Sequence, residues 1–256
     1  MMLKNLKRQD LQSNIYFPIS LKEKLFLYIK SIVVILLINY CFYQSFWAFI
    51  PLSAIGLIFY GRERKELIYK KKGEARQQFK ELLSLTVTGQ KAGYSVENAF
   101  LKNYEDMMNL YGEKSSICKM LTELKIGLGN NLRAADLWRA IGKASDIEEI
   151  KEFAEVFEIA KESGGNMTVI MEKTAETIGN KAETQNEIEL LLSARKLEQK
   201  IMNVMPFFLM VYVTLTTPGY FKGLYHSMEG TVIMTFCLLL YLSAYIIGIK
   251  ITDIEV

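Results

Sequence analysis

Three stretches without a single charge, residues 31–61, 201–221 and 230–249, constrain this chain of 256 residues more than any other feature. A bilayer crossing needs about 20 consecutive apolar residues to cover a hydrocarbon core about 30 Å thick, and the second and third stretches each fit one crossing. The first is too long for one, since as a straight helix it would measure about 46 Å. As a hairpin it has short limbs, unless residues 25–29 extend the first limb and Lys30 snorkels to the polar boundary. The break would then fall in Tyr43-Gln44-Ser45-Phe46-Trp47. Charge placement favours the hairpin. Lys22, Lys24 and Lys30 precede the stretch, and Arg62, Arg64, Lys65, Lys70, Lys71 and Lys72 follow it. Positive residues near the ends of spans stay on the cytoplasmic side, so both ends belong on one side.

The same rule orders the rest. Residues 62–200 carry 23 Lys and Arg, whereas 219–229 carry only Lys222, and Lys250 follows the last stretch. We therefore expect an all-α, multi-pass protein of the cytoplasmic (inner) membrane with four crossings and both termini inside. Its parts are a cytoplasmic segment 1–24, a transmembrane hairpin 25–61, a cytoplasmic helical domain 62–200, two transmembrane helices with a short external loop in 201–250, and a cytoplasmic tail 251–256. The polar N-terminal flank has no small-residue cleavage site and argues against a removable signal peptide.

The domain 62–200 contains no proline, and its apolar residues recur at helical spacing. Phe79, Leu82, Leu83 and Thr86 share one face, which ends at Gly93. Ser95 can cap the next helix, with Val96, Ala99, Phe100 and Tyr104 on its inner face. Ile117, Met120, Leu121 and Leu124 mark a third helix ending in 127–130, and 132–141 a short fourth with Trp138 inward. Ile150, Phe153, Val156, Phe157 and Ala160 define a fifth, stopped at Gly164-Gly165, where a left-handed turn suits glycine. A sixth restarts at Met167. It either continues as one rod into the span that holds Pro206 or flexes at a joint near Gly179.

No constellation points to catalysis, so the chain is read as a non-enzyme with no catalytic, cofactor or metal residues. The only histidine is His226, which removes paired-histidine metal sites and histidine triads. Gly127-Leu128-Gly129 lacks both the preceding strand and the spacing of a phosphate loop. A net charge of +3 without a clustered basic face argues against nucleic acid. Cys41, Cys118 and Cys237 are isolated and read as buried thiols. The acidic run Asp146, Glu148, Glu149, Glu152, Glu155 and Glu158 reads as a solvated helix face or a docking surface for a basic partner. The apolar stretches hold no ionisable group, which argues against ion-coupled transport. Asn39, Gln44 and Asn203 read as glue between helices, and Ser243 and Gly248 allow close contact.

Phe79-Lys80-Glu81-Leu82-Leu83 followed by Ala92-Gly93-Tyr94-Ser95-Val96-Glu97-Asn98-Ala99-Phe100 resembles the first half of a type II secretion system F domain. Residues 153–167, Phe153 through Gly164-Gly165-Asn166-Met167, resemble its second half. With one copy behind an N-terminal hairpin, the chain resembles the TadB and TadC platform proteins of tight-adherence (Flp) pilus assembly. A sporulation relative of the domain, or a membrane-anchored binding module for a soluble regulator, is the alternative. The resemblance implies a scaffold that couples a hexameric secretion ATPase in the cytoplasm to extrusion of pilin subunits. It also implies assembly with itself or with a second platform protein. Gly93, Ser95, Gly164 and Gly165 are its candidate positions, as structural turns or as interface.

Overall fold

The computed structural model describes residues 16–43, 45, 49–217, 219–225 and 227–252. Expectations placed on residues 1–15, on Gln44, Phe46 and Trp47 in the hairpin break, on His226 and on 253–256 lie outside the described residues. The fold is all-α, and among the described residues there is no strand. The helices are α1 (Leu21–Phe42), α2 (Phe49–Lys91), α3 (Val96–Tyr111), α4 (Ser116–Gly129), α5 (Ala134–Ser145), α6 (Glu148–Ser163), α7 (Met167–Thr216), α8 (Lys222–Tyr225) and α9 (Met228–Thr252). They form two compact units: residues 66–184 with the described residues 16–20, and the described residues of 21–65 and 185–256. α7 passes through Gly179 and Pro206 without interruption, so the joint at Gly179 is absent.

The first unit is a bundle of six helical segments, from the later part of α2 to the first part of α7. Its interior follows the periodicity of the sequence, with Phe79, Leu82, Leu83, Phe100, Met107, Leu121, Trp138, Ile150, Phe153 and Phe157 all buried. Trp138 lies 5.4 Å from Phe79, 5.1 Å from Phe100 and 5.7 Å from Phe153, ring centre to ring centre. Tilted and edge-on contacts at such spacings are favoured by the ring quadrupoles. Thr86 is also fully buried. Its hydroxyl donates to the Leu82 carbonyl at 2.7 Å and accepts from the Asn103 amide at 3.1 Å, as an enclosed polar group requires. α5 and α6 pack backbone to backbone, since a Cβ on Gly142 would stand 3.1 Å from Lys151 Cα and N.

One helix differs from its expected bounds. The fourth helical segment of the sequence reading, 132–141, runs Ala134–Ser145 instead. Its start is delayed because the Leu132 N–H bonds back to the Gly127 carbonyl at 3.0 Å and Arg133 is extended. Its end is extended by the burial of Ser145 and Ile147.

The second unit has a small core in which Ile38, Cys41, Phe42, Leu52, Met234 and Leu238 are buried together. α1 and the start of α2 are antiparallel neighbours: the Ser31 hydroxyl donates to the Gly56 carbonyl at 2.9 Å, and the Tyr28 and Tyr60 rings stack at 4.7 Å. The polar contacts between helices are made chiefly by tyrosines. Tyr225 donates to the Cys41 carbonyl at 2.6 Å and Tyr241 to the Asn203 carbonyl at 3.0 Å. The expected amide glue is therefore corrected. Asn203 serves through its backbone, and the enclosed Asn39 side-chain oxygen has no hydrogen-bond partner among the described residues. Gly248 is taken up within the unit, since a Cβ there would meet Gln199 Nε2 at 2.7 Å. Ser243 bonds its own helix at the Leu240 carbonyl. Cys237 is exposed, unlike Cys41 and Cys118, because one core of this size covers only one side of α9.

Two of these helices, α1 and α9, are long and apolar enough to cross a membrane by length and composition. The uncharged start of α2, residues 49–61, is about 20 Å long, and the uncharged end of α7 from Ile201 to Thr216 about 24 Å. Both fall short of a 30 Å core. The large side chains that this unit exposes include Phe26, Ile32, Val33 and Leu36 on α1, Phe208 and Leu209 on α7, and Phe236, Leu239 and Leu240 on α9.

Candidate functional site

The four positions singled out in the sequence lie at one end of the bundle. Gly93 has φ 92° and Gly164 φ 68°, the left-handed region that costs a side chain about 1–2 kcal/mol. After each glycine the next N–H reaches back five residues to close the helix: Tyr94 to the Gly89 carbonyl at 3.1 Å, Gly165 to the Ala160 carbonyl at 2.7 Å. This is the paired closure by which a helix end satisfies its last carbonyls. A capping residue then opens the next helix. The Ser95 hydroxyl accepts from the Asn98 N–H at 3.4 Å, and the Asn166 side chain accepts from the Thr168 and Val169 N–H groups at 3.1 and 3.4 Å. Gly93-Tyr94-Ser95 and Gly164-Gly165-Asn166 are thus one turn used twice. Asn166 was not singled out in the sequence, although asparagine before a helical pattern is a standard capping signal.

A third copy joins them. Asn131 takes φ 59°, the Leu132 N–H closes onto Gly127, and asparagine is the residue after glycine that best tolerates this conformation. Ion pairs hold the end together. Lys161 of α6 pairs with Glu97 of α3, Lys91 of α2 with Glu172 of α7 at 2.6 Å, and Arg139 of α5 with Glu158 of α6. Burial alone would raise the Glu97 carboxyl, but the hydrogen bond from Lys161 holds it below its ordinary value. On the surface of this end Lys102 donates to the Tyr94 hydroxyl at 2.7 Å, and that bond lowers the Tyr94 hydroxyl below its usual range.

The acidic run departs from its expectation of a uniform solvated face. Glu149 is 5% exposed, 3.0 Å from the Arg76 guanidinium and 3.6 Å from the Lys181 ammonium. Asp146 receives Lys151 at 2.8 Å and Lys72 at 2.9 Å. These two carboxylates tie α6 and the α5–α6 turn to α2 and α7, because the first turn of α6, which begins at Glu148, brings Glu149 inward. Glu152, Glu155 and Glu162 remain outward, alongside Val156 at 46% and Ile159 at 66% exposure. Together they form a mixed acidic and apolar stripe along the outer face of α6.

Two further features were invisible in the sequence. Tyr16 and Phe17, assigned to a plain N-terminal segment, are buried in the bundle core. Tyr16 donates to the Glu123 carboxylate, its carbonyl accepts from Ser116 at 3.1 Å, and the Pro18 carbonyl accepts from Lys71 at 2.8 Å. Burial, and then the Glu123 bond, push the Tyr16 hydroxyl well above its ordinary range. A groove of about 490 Å³ lies between Lys80, Ser84 and Val87 of α2 and Glu172, Glu176 and Gly179 of α7. Among the described residues no three His, Cys, Asp or Glu side chains are grouped to hold a metal. No family model, curated protein or solved structure matches this chain.

Proposed function

We propose that this chain is a membrane-anchored scaffold: the platform protein of a type II secretion or Flp pilus assembly machine. In this reading it crosses the cytoplasmic membrane four times. Residues 62–200 lie in the cytoplasm, and the bundle transmits the work of a hexameric secretion ATPase to the extrusion of pilin subunits. The short limbs of α2 and α7 are then accommodated by local thinning of the bilayer and by snorkelling of the flanking Arg62 and Lys200. A second copy of the chain or a sister platform protein completes the assembly.

The observation that carries the reading is the contrast in surfaces. α1 and α9 present rows of large apolar side chains outward, which suits lipid rather than water, while the bundle closes over its core and displays charge. The twin glycine turns at 93–95 and 164–166 support the more specific assignment, because they stand where the F-domain resemblance places its helix ends.

A photo-crosslinking residue at Ile159, introduced into the full chain in native membranes, tests the reading. The expected product joins the chain to the secretion ATPase of the same cell and disappears when the ATPase gene is deleted. A product formed equally in the deletion strain would overturn the assignment. Topology is tested by single-cysteine labelling in a background without Cys41, Cys118 and Cys237. Labelling near Lys114 by an impermeant reagent from outside would overturn the cytoplasmic placement of 62–200.

A further inference from the structure

The second unit carries its lysines and arginines, Lys222 excepted, toward one end. Its helices alternate in direction, and two contacts between them fix their levels. Phe42 of α1 meets Phe207 of α7 edge-on at 6.2 Å, and the Tyr43 hydroxyl lies 3.0 Å from the Thr235 hydroxyl of α9. Counting from those contacts at 1.5 Å per residue, Lys30 on α1 and Arg195 on α7 each stand about 18 Å away on the same side. Lys250 on α9 stands about 22 Å away on that side. α2 is brought level by the Lys30–Glu63 bond of 2.6 Å, which places Arg62, Arg64 and Lys65 beside it. Lys24 and Lys22 stand about 9 and 12 Å farther out on α1, and Lys200 about 8 Å farther in on α7. At the opposite end, between α7 and α9, the sequence offers Lys222 as the one lysine or arginine, with His226 and Glu229 beside it.

In the sequence the carboxylates flanking these cations are Glu23, Glu63, Glu66, Glu187, Glu189, Glu198, Asp253 and Glu255, still fewer than the lysines and arginines. Lys30 with Glu63, and Arg195 with Glu198 at 3.2 Å, are solvent-facing pairs, and such pairs hold their partners weakly. The stacked Tyr28 and Tyr60 sit at the level of the collar, Tyr28 about half a turn outside Lys30 and Tyr60 one turn inside Arg64, where aromatic side chains mark the level of lipid headgroups. Below them the outer faces of α1 and α9 are apolar, with Ile32, Val33, Ile246 and Ile247 exposed. A ring of cations directly above an apolar wall matches an anionic lipid: a phosphodiester at the rim, with acyl chains down the wall.

We infer that this collar binds the phosphate headgroups of anionic phospholipids, an inference that rests on the membrane reading above. Clustered Lys and Arg at a membrane boundary attract acidic headgroups cumulatively, and the guanidinium fork can grip a phosphate through two bonds. Bound lipid would hold α1, α2, α7 and α9 together at this end.

The test uses the full chain reconstituted into vesicles of equal phosphatidylglycerol and phosphatidylcholine, then re-extracted in mild detergent. The lipid that stays with the protein is measured by mass spectrometry. Phosphatidylglycerol is expected to be enriched several-fold, and K22Q/K24Q/R64Q/K65Q to lower the enrichment by about threefold or more, while K114Q/K143Q in the bundle does not. Equal retention of the two lipids by the unaltered chain would overturn the collar. Displacement of the lipid by millimolar glycerol phosphate would also overturn it, assigning the cations to free phosphate. Failure of the chain to float with pure phosphatidylcholine vesicles would instead overturn the membrane reading itself. If the quadruple variant does not fold, K24Q and R64Q singly are each expected to lower the enrichment by a smaller step, and no change in either would overturn the collar.

Discussion

Phe153 and Phe208 are the same side chain in two regions built on opposite plans. In the bundle Phe153 is 1% exposed and touches four other rings, whereas in the second unit Phe208 is 62% exposed. The bundle surrounds its apolar side chains with helices and turns charge outward. The second unit keeps a thin core and turns apolar side chains outward. Water drives the first arrangement through the hydrophobic effect. The second suits surroundings that are themselves apolar, where helices are held by packing and by hydrogen bonds such as those of Tyr225 and Tyr241.

The sharpest way to break this contrast is to remove the same ring from each region. Phe153→Ala should cost about 3–5 kcal/mol, a large share of a domain's stability. Phe208→Ala should cost under about 1 kcal/mol, because an exposed ring leaves no cavity. Thermal melts of the full chain in mild detergent read both, and comparable losses would mean that Phe208 is covered in solution. Adding charge reverses the order. Leu239→Lys should hinder membrane insertion by roughly 3 kcal/mol, while Ile159→Lys in the bundle should stay within about 0.5 kcal/mol. Flotation of the two variants with vesicles compares them.

Within the bundle, Glu149→Ala leaves the Arg76 and Lys181 cations without their inner partner. Breaking a fully buried pair costs about 3–5 kcal/mol. Here about 2–3 kcal/mol is expected, because Arg76 is 19% and Lys181 45% exposed. Denaturant titration measures it, and a neutral result would show that the pair gives no net stability. Gly164→Val should lose about 1–2 kcal/mol from the left-handed backbone alone. Gly165→Val should lose less, since a Cβ there meets Ala160 at 3.4 Å, an ordinary contact. Equal losses would remove the turn from the explanation.

The smallest effect is in pH. Burial on its own would raise the Asp146 carboxyl, but hydrogen bonds from Lys151 and Lys72 hold it below its ordinary value. The stability it contributes is therefore present above about pH 4 and is lost as pH falls through the lowered value. With the side chain 45% exposed, the loss should stay under about 1 kcal/mol. Asp146→Asn should flatten that part of the acid limb of a stability–pH curve and leave the curve near neutrality displaced but parallel.

Much of this architecture was legible in the chain because it rests on local periodicity. The inward positions Phe79, Leu82, Leu83 and Thr86, the serine cap at Ser95 and the glycine stop at Gly164 all follow from the preferences of single residues within one or two turns. Asn166 and Asn131 carried signals of the same kind that were passed over. Tyr16, Phe17 and Glu149 could not be read that way. An aromatic pair in a polar flank and one glutamate among six look ordinary until Glu123, Arg76 and Lys181 are brought beside them.

By itself the sequence determined the helical class, the three uncharged stretches, the positions of most helix ends and the bias of positive charge to one side. Each is set by side chains acting on their own few neighbours. Only the tertiary structure decided that the three left-handed turns share one end of the bundle, that Tyr16 and Glu149 belong to its interior, that Gly248 is occupied by Gln199, and that the cations of four helices stand at one level. Those facts depend on contacts between residues far apart in the chain, whose partners no local pattern names.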